Sequence, residues 1–377
     1  MPDPTGPPSG PGPRRLGRIR SALVVGLVAA LAALAPVAPA AATQPGNAYH
    51  QTNLVSDLPG IAQLTDPDLV NPWGLAFSST SPAWVADNGT DRATLYRGFV
   101  NGSAIQKVPL VVNIPGGAPT GQVFNPTSGF VVRSGTASGP ALFIFDSESG
   151  LVTGWNPGVP PPPPSTQAQV GASVPDAIYK GLAIATTPAG TFLYGADFHH
   201  GRIDVFDSGF NPVHLSGSFR DPEIPAGYAP FNVQELGGRL YVAYAKQDAA
   251  AEDEVAGPAL GFVDVYSTSG QLLRHLIEHG QLNAPWGLVL APAAGFGRFS
   301  GALLVGNFGN GRINAYNPDT GEFLGRLRHE DNSPIEIEGL WALRFGNGVT
   351  GDPTTLLFTA GIDDEAHGLF GAIQAAG

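Results

Sequence analysis

Short apolar runs of about five residues recur along residues 43–377, and Gly, Pro, Asp and Asn punctuate them. Three tryptophans share one context: Asn71-Pro72-Trp73-Gly74-Leu75, Ala284-Pro285-Trp286-Gly287-Leu288 and Gly339-Leu340-Trp341-Ala342-Leu343. Related runs lie between them: GFVVR from Gly129, GLAIA from Gly181 and NVQEL from Asn232. The anchors Gly74, Gly129, Gly181, Asn232, Gly287 and Ala342 are spaced by 55, 52, 51, 55 and 55 residues. A fixed period of that size marks a repeat architecture.

Each unit predicts the same succession. A first strand, apolar on both faces, is followed by a second that ends at Asp87, Asp146, Asp197, Ala245, Asn307 or Ala360. A tight polar turn leads to a third strand. A more polar fourth strand closes most units: PLVVNI, AQVGAS, VHLSGSF, LLRHLIEH and FLGRLRH. Four strands per unit at this spacing read as a propeller blade, so the expected fold is an all-β, six-bladed propeller of four-stranded antiparallel blades. The sixth unit has no fourth strand, whereas TNLVSDL at 52–58 precedes the first unit with nothing to pair. This N-terminal strand is expected to close the ring beside GLFGAI at 368–373, which protects both edges.

Composition narrows the classes. The chain has 51 Gly and 36 Pro, which favours many turns over long helices. It has no Cys, so disulfides, thiolate metal sites and cysteine nucleophiles are excluded. The formal net charge is -12 and the lysines are Lys107, Lys180 and Lys246, so no basic face exists for nucleic acid.

Residues 1–42 read as a secretory signal peptide behind a disordered Pro/Gly extension. Arg14, Arg15, Arg18 and Arg20 precede the apolar run SALVVGLVAALAALA and small residues that offer cleavage after Ala40 or Ala42. A retained anchor is the competing reading, but the run is shorter than the roughly 20 residues of a span. Arg14-Arg15 leaves twin-arginine export open. The expected organisation is thus a leader over 1–42 and one propeller over 43–377, extracellular, monomeric and without a permanent membrane anchor.

The turns Asp197-Phe198-His199-His200-Gly201-Arg202-Ile203 and Asn307-Phe308-Gly309-Asn310-Gly311-Arg312-Ile313 resemble the D-x-x-x-G-R-I core of NHL-type repeats. The run NLVSDLPGIAQLTDPDLVNPWGLAF and the segments YVAYAKQDAAAEDEVAGPALGFVDVY and NAPWGLVLAP resemble an uncharacterised family of secreted bacterial six-unit propellers. That resemblance implies a fold and an exported location, and no particular activity.

In a propeller, the loops before the first strands and after the second strands open on one face around the channel. Candidate ligand-binding residues there are Asn125, Lys180, Asn232, His199, His200 and His367. Glu338, Asp87, Asp197 and Asn307 form a candidate oxygen-rich metal set, which suits Ca²⁺ or Mg²⁺ better than zinc. The competing reading of Asp87, Asp197 and Asn307 is that they cap turns, since they recur at one repeat position. The acidic loop from Lys246 to Gly261, with Asp248, Glu252, Asp253 and Glu254, either covers the mouth or is simply solvated. Two functions remain open. One is a binding or scaffold module that takes a small molecule, glycan or protein on the channel face. The other is a metal-dependent hydrolase or lyase, because Glu338-Gly339-Leu340-Trp341 resembles the E-G-P-x-W opening of gluconolactonase-type propellers.

Overall fold

The computed structural model describes residues 46–376; the expected leader over 1–42 lies outside them. Six antiparallel blades follow one another, each running from the channel to the rim. Blade 1 comprises Pro72–Ala76, Ala83–Asp87 and Arg92–Arg97, with the short pieces Gln106–Lys107 and Val112–Asn113 outside. Blade 2 comprises Pro119–Phe124, Phe143–Ser147, Leu151–Trp155 and Gln169–Ser173. Blade 4 comprises Tyr228–Leu236, Arg239–Lys246, Phe262–Tyr266 and Leu272–Glu278. Blade 5 comprises Pro285–Leu290, Leu303–Asn307, Ile313–Tyr316 and Phe323–Arg326.

Blade 3 has the three strands Tyr179–Thr187, Gly190–Asp197 and Arg202–Phe206. Its expected fourth strand, VHLSGSF, is irregular chain held by a bond from Val213 N–H to the Val205 carbonyl. Two prolines nearby, Pro212 and Pro222, lack the N–H that a ladder needs.

Blade 6 is built from both ends of the fold. Leu340–Phe345, Leu356–Ile362 and His367–Ala375 are followed at the rim by Tyr49–Ser56, with Thr52 opposite Ala372 and Ser56 opposite Leu369. The closing strand is therefore where the unpaired N-terminal run places it. A latch secures it: Asp57 Oδ2 lies 2.6 Å from His367 Nδ1, and Ser56 Oγ donates to the Gly368 carbonyl at 2.7 Å. The first strands neighbour one another in a closed circle around the channel.

One expected strand sits elsewhere. GFVVR is not the first strand of blade 2; Val131–Ser134 pairs with Ala137–Pro140 in a separate hairpin. Phe130 and Val132 bury themselves against Phe210 and Phe206 of the next blade. The true inner strand, Pro119–Phe124, is inconspicuous because it carries Thr120 and Gln122 where an apolar pair was expected. Gly121 is its anchor: a Cβ there would collide with the Leu182 backbone of blade 3. Glycine permits this close approach of adjacent inner strands.

Apolar faces between blades form the core. Trp84 of blade 1 stacks on Phe143 of blade 2 at 4.2 Å between ring centroids, and Tyr96 stacks on Phe370 of blade 6 at 5.5 Å. Each such buried ring contributes roughly 1.5–3 kcal/mol of burial. Trp73, Trp286 and Trp341 each take the second position of their inner strands and meet in the channel. Trp73 and Trp341 stack at 3.4 Å, and Trp286 stands edge-on to both at 6.3 and 5.7 Å. Phe231 and Phe308 press on Trp341 at 5.8 and 4.2 Å, so the channel is plugged by aromatic side chains at this level.

Candidate functional site

Lys180 occupies in blade 3 the strand position that tryptophan holds in blades 1, 5 and 6. Its side chain is 1% exposed, and its ammonium lies 5.3 Å from the Trp73 ring centroid. A lysine that deep requires counter-charges. They come from two loops: Glu148 Oε1 at 2.5 Å, from the turn after the second strand of blade 2, and Asp253 Oδ1 at 3.1 Å, from the long loop of blade 4. Burial alone would lower the Lys180 pKa, but Glu148, then Asp253 and Glu254, outweigh it and keep the ammonium charged.

Further polar groups surround this pair. Asn88 Nδ2 donates to Glu148 Oε2 at 3.0 Å, and Asn71 Nδ2 donates to Glu365 Oε2 at 2.6 Å. The Trp341 indole N–H donates to Asn71 Oδ1 at 3.1 Å, and that of Trp286 to the Lys180 carbonyl at 2.8 Å. The plug and the mouth are thus one hydrogen-bonded unit. Glu254 is pushed up to about 7 by burial, against the pull of Lys180. Burial also raises Glu365, although Asn71 bonds to its charged form. Four carboxylates share one ammonium here, and two of them resist ionisation; clustered perturbation of this kind is characteristic of functional sites.

The predicted residues separate sharply. Lys180 is central. Asn232 is fully buried and bonds to the Trp286 carbonyl at 2.7 Å and to the Val233 N–H at 2.8 Å, joining blades 4 and 5. Asn125 follows the inner strand of blade 2 and so lies at the opposite end of it from the mouth; its Nδ2 bonds to the Ala141 carbonyl at 2.8 Å and its Oδ1 accepts from Thr127. Its expected place before a first strand depended on GFVVR. His199 Nδ1 lies 3.2 Å from the Ala251 carbonyl and props the long loop, whereas His200 Nδ1 meets Asp197 Oδ2 at 2.7 Å inside its own turn. His367 serves the closing latch with Asp57.

The proposed metal set does not converge. Glu338 is exposed and accepts only the Asp364 N–H, at 3.3 Å. Asp197 is occupied by His200, and Asn307 Nδ2 bonds to the Gln281 carbonyl at 2.8 Å. Asp87 is wholly buried with no hydrogen-bond partner on either oxygen, and burial raises its pKa well above the carboxylate range. Asp87, Asp197 and Asn307 terminate the second strands of different blades, and Glu338 precedes the first strand of blade 6, so the four do not fit one shared ion. Among the described residues, the acid and histidine side chains that come close enough together to share one ion are Asp221, Asp264 and His275, at blade 4 and away from the mouth. There His275 Nδ1 lies 2.7 Å from Asp221 and 2.9 Å from Asp264, an internal ion pair that ties a loop to the blade.

Glu148, Asn88 and Glu365 escaped sequence reasoning. Lys180 itself was the available signal: a lysine in an otherwise apolar inner strand must be neutralised, and the turns after the second strands supply the acids that reach it.

No family model matches the chain. Over 328 residues it is 35% identical to uncharacterized protein R648 of Acanthamoeba polyphaga mimivirus, covering 85% of this chain and 78% of that protein. The chain belongs to the family of this viral protein. Uncharacterized protein L690 of the same virus is 33% identical over 334 residues, covering 85% of this chain and 84% of its own length. The resemblance to secreted bacterial propellers is narrowed accordingly: the six-bladed fold stands, while these relatives are viral and lend no support to a bacterial origin or to export. Among solved structures, virginiamycin B lyase from Staphylococcus aureus is similar at 12% identity and a TM-score of 0.47, covering 87% of this chain and 99% of that one. A gluconolactonase from Xanthomonas campestris is similar at 13% identity and a TM-score of 0.39, covering 62% and 82%. At these values nothing about the chemistry of this chain follows from the likeness.

Proposed function

We propose that this chain is a binding propeller whose recognition surface is the mouth around Lys180, and that it takes a ligand bearing protonated amines, either a small molecule or a side chain of a partner protein. The observation that supports the reading is the gathering of Glu148, Asp253, Glu254 and Glu365 around a single ammionium-bearing side chain, itself seated over Trp73. Carboxylates in excess over cations, on a low-dielectric aromatic floor, focus a negative potential outwards. A second cation entering beside Lys180 would be held by the outer carboxylates and by the amide oxygen of Asn88. It would also favour ionisation of Glu254, which burial raises to about 7, so binding should release protons near neutral pH.

Calorimetric titration of putrescine in two buffers of different ionisation heat tests this. Binding that tightens from pH 6 to pH 8, releases protons at pH 7 and is lost in a Glu148→Gln/Glu365→Gln double variant is the expected result. No binding at either pH, or equal binding by the double variant, would overturn it. We propose further that residues 1–42 direct export, a reading supported by their basic, apolar and small-residue succession.

A further inference from the structure

The other end of the channel has the opposite chemistry. Beneath the tryptophan plug the channel narrows to about 10 Å³ between Gly74, Gln122, Asn232, Gln234 and Arg344. It then opens at the far face into a pocket of about 560 Å³ that Gln234 and Arg344 also line. That volume falls within the range of small-molecule sites. The pocket is therefore blind, closed at its inner end by the plug.

Two polar groups there lack partners. Gln122 is 4% exposed, and neither its amide oxygen nor its amide nitrogen has a hydrogen-bond partner. Arg344 makes no ion pair and no side-chain hydrogen bond among the described residues; its guanidinium carbon lies 4.9 Å from the Phe77 ring centroid. Burial lowers its pKa from the ordinary arginine value, with Glu235 opposing this only through space. A half-buried arginine without an acid and a buried amide without a partner both cost stability. An anion supplies what both lack.

The walls specify which anion. Phe77, Val123 and Ala183 give apolar surface beside the guanidinium. Glu235, exposed at the rim, accepts the Gly238 N–H at 2.6 Å and sets a negative charge near the entrance. That charge disfavours polyanions and tolerates a single carboxylate paired with Arg344. We infer that this pocket binds a monocarboxylate with an apolar body: the carboxylate pairs with Arg344, the Gln122 amide lies beyond it toward the plug, and the hydrocarbon lies against Phe77 and Val123. The inference is independent of the acidic mouth.

The test is calorimetric titration of hexanoate, hexanol and citrate into the full chain, its Arg344→Met variant and its Thr186→Trp variant. Thr186 is exposed on the pocket wall, so a tryptophan there obstructs the pocket without entering the core. Hexanoate should bind, hexanol should bind about tenfold or more weakly, and both variants should weaken hexanoate about tenfold or more with an unchanged melting temperature. The inference fails if hexanoate gives no binding up to roughly 10 mM, if hexanol binds as well as hexanoate, if citrate binds more tightly than hexanoate, or if both folded variants bind like the parent.

Discussion

Replacing Asp146 by Asn should convert a pH-sensitive protein into a less sensitive and, in alkali, a more stable one. Asp146 is wholly buried at the end of the second strand of blade 2. Its Oδ1 accepts the Gly121 N–H at 2.7 Å and the Thr120 hydroxyl at 3.0 Å, while Oδ2 has no partner. Burial raises its pKa from 3.8 to about 7 despite those bonds. A folded pKa above the unfolded one means stability that is fully present below about pH 4 and is lost as pH rises through about 7. Three units at about 1.4 kcal/mol each bound that loss at about 4 kcal/mol. Asparagine keeps the Oδ1 acceptor and carries no charge; its amide nitrogen takes the unpartnered position at a cost of roughly 1–3 kcal/mol. The variant should therefore be no more stable than the parent at pH 4.5, and should gain on it by about 3–4 kcal/mol between pH 4.5 and pH 8. Urea unfolding followed by tryptophan fluorescence at the two pH values measures this. A stability difference between variant and parent that is the same at both pH values would refute the reasoning.

Deleting residues 43–58 removes the buried side chains Tyr49, Leu54 and Val55, each contributing roughly 1.5–3 kcal/mol, and uncovers the edge of His367–Ala375. The melting temperature should fall and light scattering should report association; a deletion variant as stable and monomeric as the parent would dismiss the latch. Gly121→Ala forces the first strands of blades 2 and 3 apart and should cost roughly 1–3 kcal/mol in urea unfolding, and an unchanged midpoint would argue against the close approach. If residues 1–42 are a cleaved leader, mass spectrometry of protein from the culture medium should find Ala41 or Thr43 first, whereas full-length chain confined to membranes would reject export.

The blade count and the closing strand were legible because they depend on apolar periodicity and on one unpaired run, both of which are local. Trp73, Trp286 and Trp341 revealed three of the six inner strands because the plug demands large rings at one strand position. Blade 2 was misread for a physical reason. Its inner strand faces Lys180 and the narrow channel, and carries Thr120 and Gln122 where others carry tryptophan and leucine, so its apolar signal is weak. The nearby GFVVR is more apolar because it packs between blades. The site was legible only in part. Lys180 stood out as a rare lysine in an apolar strand, but its partners Glu148 and Asp253 come from other blades, and the distances that join them are set by the ring. The recurring Asp87, Asp197 and Asn307 attracted attention by their repetition, which is what a shared structural duty produces.

The plug gives one last consequence. Lys180 above it is buried and Arg344 below it is half-buried, both on inner strands, and their surroundings differ. Lys180 has two carboxylates at bonding distance and excess acid around it, so it belongs to the framework of a negative mouth. Arg344 has only Glu235 acting through space, so its charge is directed at whatever enters the pocket. Between them lie Trp73, Trp286, Trp341 and Phe231, close-packed on inner strands that neighbour one another in a closed circle. Coupling between two sites requires an element with two arrangements, and a packed aromatic plug in a closed ring supplies none. Putrescine at the acidic mouth should therefore leave hexanoate affinity at the far pocket unchanged within about twofold. Calorimetric titration of hexanoate into the full chain, with and without saturating putrescine, measures this. A shift of about fivefold or more would mean that the plug moves, and that the two mouths act as one device.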